Sequence, residues 1–303
     1  MRRISRCSAT KTKTATDKAN EMRNILLSFL FIFMGLATAM AQTYEQFVEA
    51  ALSAASHDSL PEAEVLFRKA LKASPSDYRN ALVFNNLGKI QERIFWQNPQ
   101  KTQKATEAIE SYTMALSFAP EAVPLLTSRA DLYMRLGQYG KATIDLTTIL
   151  DVAPDHIEAR NHRAYCYAQS RHYDEARVDY QRVLERDVQN RMARLGLAML
   201  SQQTGHLSDA IERISQLIGE GATDAELLSI RSGMYAENHQ PELAIIDLDR
   251  AIQLAPDNTN YWLARAYLHK SQGNRRQALA DFEQAIALGI PRSSLRQELK
   301  ECK

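Results

Sequence analysis

One alanine recurs at a fixed interval of 34 residues through most of this 303-residue chain. Its copies are Ala108, Ala142, Ala176, Ala210, Ala244 and Ala278. A strict period of this length indicates a repeat architecture in which each unit is a pair of helices. Each unit then buries its apolar stripe against its neighbours, so a single central core is not expected. The function is therefore to be sought on the surface of a stack rather than in a catalytic pocket.

Other positions keep the same period. Twelve residues before the alanine stands another small residue: Ala130, Ala164, Ala198, Ser232 and Ala266. Four residues after it stands a large one: Tyr112, Leu146, Tyr180, Ile214, Leu248 and Phe282. Two helices approach closely where both present small side chains, and a large neighbour fills the groove beside that contact. This pattern predicts the packing of each helix pair.

Two stretches carry the fuller pattern, SRADLYMRLGQYGKATIDLTTILDVAP at 128–154 and NYWLARAYLHKSQGNRRQALADFEQAIAL at 260–288. They resemble the tetratricopeptide repeat, whose pattern is W-x₂-L-G-x₂-Y, then A-x₃-F-x₂-A, then P. The resemblance implies an all-α fold, a right-handed superhelix (α-solenoid) of about seven helix–turn–helix repeats with a C-terminal capping helix. The repeat at 191–224 departs most, since it has no tyrosine and no terminal proline.

The register divides the chain into a leader (1–41), a solenoid (42–292) and a capping helix with a short tail (293–303). The predicted repeats lie near 44–77, 81–122, 123–156, 157–190, 191–224, 225–258 and 259–292. Ala63 lies 45 residues before Ala108, an excess of 11 over the period. We expect three of the extra residues between the first two repeats. The other eight are expected to lengthen the turn inside the second, around 94–101.

The N-terminus has the composition of a secretory signal peptide. Twelve consecutive apolar-rich residues (25–36, ILLSFLFIFMGL) follow Arg23 and precede ATAMA. A positive start, a short apolar segment and an A-x-A end predict cleavage between Ala41 and Gln42. We expect Met22 to be the true start, and the mature protein to be periplasmic or secreted.

Two other interpretations of this segment remain open. It can be an uncleaved inner-membrane anchor over residues 25–40, although a bilayer core of about 30 Å needs roughly 20 apolar residues. It can also be an organelle transit peptide, although such peptides lack so apolar a block. Membrane contact is expected only through this segment, if it is uncleaved.

The composition after the leader gives no reason to expect nucleic-acid binding. Residues 1–41 carry seven Lys and Arg and two Asp and Glu, which leaves 30 basic and 34 acidic residues for the remainder. Nucleic-acid-binding domains are typically strongly basic. The predicted partner is therefore a protein or peptide.

Motifs for catalysis and cofactor binding are absent from the sequence. It contains no phosphate-binding glycine loop, no metalloprotease H-E-x-x-H and no C-x-x-C. We predict no enzyme activity, no cofactor and no metal. His162 and Cys166, four residues apart on a predicted helix, are the candidate ligands, but a metal site needs three or four convergent groups. We expect Cys166 to be a buried small hydrophobe and Cys302 a loose terminal thiol.

The resemblance implies that the first helix of each repeat lines a concave groove that binds a protein or peptide. The family positions select, in this sequence, Asn85, Lys89, Arg93, Thr127, Asp131, Arg135, Asn161, Tyr165, Gln169, Leu195, Met199, Gln203, Ser229, Glu237, Leu263, Tyr267 and Lys270. The middle of this set, Tyr165, Leu195 and Met199, is an apolar patch with amide edges, and Met and Tyr are favoured at contact surfaces. The alternative is that these side chains only fill the space between first helices.

Some members of the family hold a peptide's C-terminal carboxylate with a clamp of lysines, asparagines and an arginine. Here Asn85 and Lys89 stand in reversed order and later repeats lack a matching set, so no clamp is predicted. Phe95 and Trp96 offer a second candidate surface, unless they fold onto the stack.

The predicted function is that of an exported, non-catalytic scaffold in envelope or secretion-related assembly. The alternative is an envelope module that captures a small ligand or glycan through Tyr165, Met199 and Tyr267.

Overall fold

The computed structural model describes residues 43–219 and 224–302, and these residues form helices and short connections without a β-strand among them. The predicted signal segment lies outside the described residues. The helices are α1 (43–56), α2 (Leu60–Ala73), α3 (Asn80–Gln97), α4 (Thr102–Phe118), α5 (Val123–Arg135), α6 (Tyr139–Val152), α7 (Ile157–Gln169), α8 (Tyr173–Arg186), α9 (Arg191–Gln203), α10 (Leu207–Gly219), α11 (Ala225–Glu237), α12 (Pro241–Leu254), α13 (Thr259–Ser271), α14 (Arg275–Ala287) and α15 (Arg296–Glu301), with a 3₁₀ turn (Arg292–Leu295) before α15. No described helix has the length and apolar character needed to cross a bilayer.

The chain divides into two compact units, the first ending at Leu132 and the second beginning at Tyr133. In the first, α2 contacts α3 and α3 contacts α4; in the second, each helix from α6 to α14 contacts the next along the chain. Paired helix–turn–helix packing confirms the predicted all-α fold class.

Packing within the pairs follows the 34-residue register. All six periodic alanines are fully buried, with 0 % of their surface exposed. The large residues four positions later are also buried: Ile214, Leu248 and Phe282 are 0 % exposed, and the other three are at most 3 % exposed. Burying one such large side chain contributes about 1.5–3 kcal/mol. The predicted burial of both the small and the large periodic residues is therefore confirmed.

The extra residues in the second repeat lie mostly in helix, not in a longer turn. Helix α3 has 18 residues and α4 has 17, whereas the helices from α5 to α14 have 13 or 14. Ile94 and Phe95 are buried, because the apolar face of α3 continues for another turn. The expected long turn at 94–101 was wrong, since the connection is only 98–101.

Polar caps set the starts of the first helices in the second unit. The side chains of His156, Asn190, Asp224 and Asn258, spaced by 34 residues, each accept a hydrogen bond from a backbone amide in the first turn. Such a cap satisfies one of the amides that a helix start leaves unpaired.

A ladder of buried ion pairs also follows the register of the second unit. Three first-helix arginines each bond both oxygens of an aspartate 16 residues later: Arg163–Asp179, Arg231–Asp247 and Arg265–Asp281, at 2.7 to 2.9 Å. Each arginine also donates to an oxygen of the side chain 16 residues earlier: Thr147, Ser215 and Asp249. The hydrogen bonds that Arg163 donates to Asp179 raise the pKa of Arg163. We call this series the Arg–Asp ladder.

The C-terminal segment covers the end of the last helix pair. Leu295, Leu299 and Cys302 are buried and pack in one cluster with Ala278 and Phe282. The expectation that Cys302 is a loose terminal thiol was wrong, because its side chain completes this apolar contact.

Candidate functional site

Five of the predicted groove residues meet at one cavity in the second unit. The cavity has a volume of about 200 Å³ and lies between α7, α8 and α9. Its lining contains Tyr165 and Gln169 of α7 together with Leu195, Met199 and Gln203 of α9. We call it the α7–α9 pocket. The structure brings these residues together, and their binding role stays a prediction.

The floor of the pocket is the ring of Tyr180, which lies against the backbone of α9. A Cβ atom added at Gly196 would lie 2.2 Å from the ring of Tyr180, far inside van der Waals contact. Glycine is therefore required at this position for the close approach of ring and helix. Burial raises the pKa of Tyr180 above its ordinary value.

The walls of the pocket are partly exposed apolar side chains. Tyr165 is 40 % exposed, and its ring packs edge-on against Tyr139 with centroids 5.9 Å apart. Burial and a hydrogen bond with Tyr139 raise the pKa of Tyr165. Met192, Leu195 and Met199 share one face of α9, because residues three and four apart are neighbours on a helix.

Sequence reasoning missed Met192, which also lines the pocket and is 51 % exposed. It lies one turn before Leu195, at a position that the family resemblance does not assign to the groove. The apolar spacing 192, 195 and 199 is the signal that would have identified it.

Five other predicted groove residues lie in the first unit: Asn85, Lys89 and Arg93 on α3, and Thr127 and Asp131 on α5. Asn85 is buried, so its side chain offers little surface. Lys89 is exposed. Arg93 is exposed and forms an ion pair with Asp58 at 2.7 Å. Thr127 is partly buried and donates to the backbone of its own helix.

The remaining predicted residues lie in the second unit, outside the α7–α9 pocket: Arg135, Asn161, Ser229, Glu237, Leu263, Tyr267 and Lys270. Arg135 and Glu237 are exposed, and Ser229 and Leu263 are half-buried. Asn161 is buried and its amide donates at 3.1 Å to Asn190, the cap of α9. This contact gives Asn161 a structural role in positioning the start of that helix.

Two predicted residues near the C-terminus contact α15. The Tyr267 hydroxyl lies 3.5 Å from Glu298, and Lys270 forms an ion pair with Glu301 at 2.6 Å. The Tyr267 ring packs edge-on against Phe282, with centroids 5.2 Å apart. The capping helix therefore already supplies partners for the polar ends of these two side chains.

The candidate metal ligands of α7 and its neighbours are not arranged as a site. Among residues 43–219 and 224–302, no group of three or more His, Cys, Asp and Glu side chains converges. His156 caps α7 through its ring nitrogen. Cys166 is fully buried, and burial raises the pKa of its thiol to about 12.

The aromatic pair at the end of α3 packs onto the protein. Phe95 is buried, and its ring contacts Trp96 with centroids 4.7 Å apart. The Trp96 indole nitrogen donates to Glu92 at 3.1 Å. The structure therefore supports the interpretation in which Phe95 and Trp96 fold onto the helix stack, rather than the one in which they form a second binding surface.

Three parts of the chain are similar to a known repeat family. Residues 127–191, 167–232 and 259–288 each match a profile of the tetratricopeptide repeat. A crystal structure of a tetratricopeptide repeat protein from Parabacteroides merdae ATCC 43184 is 29 % identical, covers 86 % of this chain and 99 % of that chain, and has a TM-score of 0.71. No curated protein matches the sequence.

Two more distant structures share the fold alone. One is Cut9–Hcn1 of the APC/C hetero-tetramer, 14 % identical over 80 % of this chain and 52 % of that chain, with a TM-score of 0.52. The other is PilF of Pseudomonas aeruginosa, 16 % identical over 74 % and 96 %, with a TM-score of 0.50.

Proposed function

We propose that this chain, a tetratricopeptide repeat protein, is a non-catalytic scaffold that binds an extended segment of another protein at the α7–α9 pocket. The observation that carries the proposal is the convergence of Tyr165, Met192, Leu195 and Met199 around one cavity. Methionine and tyrosine adapt to varied partners and are enriched at protein contact surfaces.

The size of the pocket favours a side chain over a whole small ligand. Its volume of about 200 Å³ is below the roughly 300–1,000 Å³ of typical small-molecule sites. One apolar side chain of a bound segment fits such a space. The amides of Gln169 and Gln203, both on the exposed rim, can pair with the main chain on either side of that anchor.

The segment at residues 25–41 supports a role outside the cytoplasm. We propose that the chain is exported, loses residues 1–41, and serves an envelope or secretion-related assembly. Mass spectrometry of the native protein tests this, and the expected N-terminal residue is Gln42. A native protein that retains residues 25–40 would instead support the inner-membrane anchor.

Site-specific crosslinking tests the binding site. A photoreactive amino acid is placed at Met199 of the full chain, and at the exposed Ile246 of α12 as a matched control. We expect a covalent adduct with a partner protein from envelope extract at Met199, and none at Ile246. Equal labelling at both positions would contradict the proposal.

Alanine substitution distinguishes a role of the pocket in partner binding from a role in folding. Tyr165→Ala and Met199→Ala should weaken capture of the crosslinked partner by about tenfold each, because each removes an apolar wall of the pocket, while the circular dichroism spectrum stays helical. Unchanged capture would show that the pocket is not the site. A thermal shift with sugars, in the absence of a protein partner, would favour the glycan-binding alternative.

A further inference from the structure

The Arg–Asp ladder is interrupted in one repeat of the second unit. The residue 34 positions after Arg163 is Leu197, and the residue 34 positions after Asp179 is Arg213. The ladder resumes one repeat later with Arg231 and Asp247, bonded at 2.7 and 2.8 Å. At the interruption, a guanidinium therefore stands where the neighbouring repeats bury a carboxylate.

A cavity of about 320 Å³ lies at the interruption, between α8, α9 and α10. Leu184, Val188 and Leu197 supply its apolar lining. Its charged side chains are Arg194 and Arg213, and its neutral amides are Gln189 and Gln216. Arg194 already donates to Gln189 at 2.9 Å. This is the chemistry of a site that takes an apolar group carrying a negative charge. We call it the ladder-gap cavity.

Arg213 is available to a ligand. Its side chain is 43 % exposed, and its Nε donates to Asp209 at 2.9 Å, one turn earlier on α10. Within the part of the chain that the structure describes, its two terminal nitrogens have no hydrogen-bond partner. Guanidinium nitrogens pair with a carboxylate in a bidentate geometry, as three arginines of the ladder do.

The ladder-gap cavity is separate from the α7–α9 pocket. Arg194 and Leu197 line the first, whereas Leu195 and Met199 line the second. At 100° per residue, the two sets fall on opposite faces of α9. A ligand at one site therefore does not occlude the other.

We propose that the ladder-gap cavity binds a carboxylate on an apolar protein segment, and that this carboxylate pairs with Arg213, which stands at the aspartate position of the ladder. The charge of Arg213 attracts it, and the lining of Leu184, Val188 and Leu197 holds the adjacent aliphatic side chain. The carboxylate is an Asp or Glu side chain or a free C-terminus.

Leucine-methyl NMR of the full chain tests the proposal, with Leu184 and Leu197 as reporters assigned by substitution to isoleucine. The probes are acetyl-Ala-Leu-Asp-Val-Ala-amide, its Asn counterpart, and Ala-Leu-Val with either a free or an amidated C-terminus. We expect the acidic peptide or the free-carboxylate peptide to shift both reporters, and the neutral counterpart to bind at least about tenfold more weakly.

Two variants sharpen the test. Arg213→Gln should weaken binding by about tenfold. The matched control Arg177→Gln, at a site 42 % exposed with a similar Asp partner one turn earlier, should not. The double variant Leu197→Arg/Arg213→Asp places the ladder's arginine and aspartate in this repeat. It should abolish peptide binding without loss of helicity.

Specific outcomes would overturn the inference. These are equal binding of charged and neutral peptides, full binding by Arg213→Gln, or no shift with any probe at millimolar concentration. Reporter shifts that depend on protein concentration alone would show that a second copy of the chain occupies the cavity instead.

Discussion

At the scale of single residues, glycine is required at one position in α9. The missing Cβ of Gly196 allows the Tyr180 ring to lie against the helix. Gly196→Ala should displace that ring and lower the free energy of unfolding by about 1–3 kcal/mol, the usual cost of overpacking.

Gly233→Ala is the control, because its Cβ would meet nothing within 4 Å. It should stabilise α11 by about 0.5–1 kcal/mol. Urea unfolding of both variants checks the difference, and equal effects would contradict it.

Burial of one thiol gives a second prediction at this scale. Burial raises the pKa of Cys166 to about 12, from an ordinary value of 9.0. Above about pH 9 the unfolded thiol loses its proton while the folded one keeps it, so the free energy of unfolding should fall as pH rises. In a Cys7→Ser/Cys302→Ser background, Cys166 should resist iodoacetamide at pH 8 until urea unfolds the chain. Rapid alkylation without urea would contradict the buried placement.

At the scale of helices, the alanine register correctly predicted which faces of the helix pairs are buried. It failed at α3, because apolar residues at 94 and 95 extend a helix as readily as they fill a turn. The Arg–Asp ladder was also missed, although the arginine and the aspartate keep the 34-residue register of the alanines, with one repeat skipped at Leu197 and Arg213. The sequence alone does not show that charged residues 16 positions apart meet in a buried contact.

The ladder makes a prediction of its own about helix pairing. Arg231 and Asp247 join α11 to α12 with both side chains mostly buried. Asp247→Asn removes the charge that compensates Arg231, and should cost about 3–5 kcal/mol. Replacing both, with Arg231→Met and Asp247→Leu, should cost much less because no unpaired charge remains. Thermal unfolding of the single and double variants measures this. An equal loss in both would show that packing, not charge, dominates the contact.

At the scale of the molecule, the sequence predicted on which helices most residues of the candidate site lie. It did not predict that some of them meet in one pocket. The family register placed Tyr165, Leu195 and Met199 on first helices, and the structure brings them to one pocket. The same register selected Asn85 and Asn161, whose side chains are buried. Sequence register reports which face of a helix a residue occupies, but not how deeply the next repeat covers it.

Because a repeat contacts only its neighbours, damage at one end should remain local. Leu295 and Leu299 cover Phe282 at the end of the last helix pair. Leu295→Ala with Leu299→Ala removes much of this apolar contact, and each large-to-small change in a core costs about 2–5 kcal/mol. Hydrogen exchange should then accelerate in α13 and α14, while α2 to α4 keep their protection. Loss of protection throughout the described chain would instead show that all its repeats unfold as one cooperative unit.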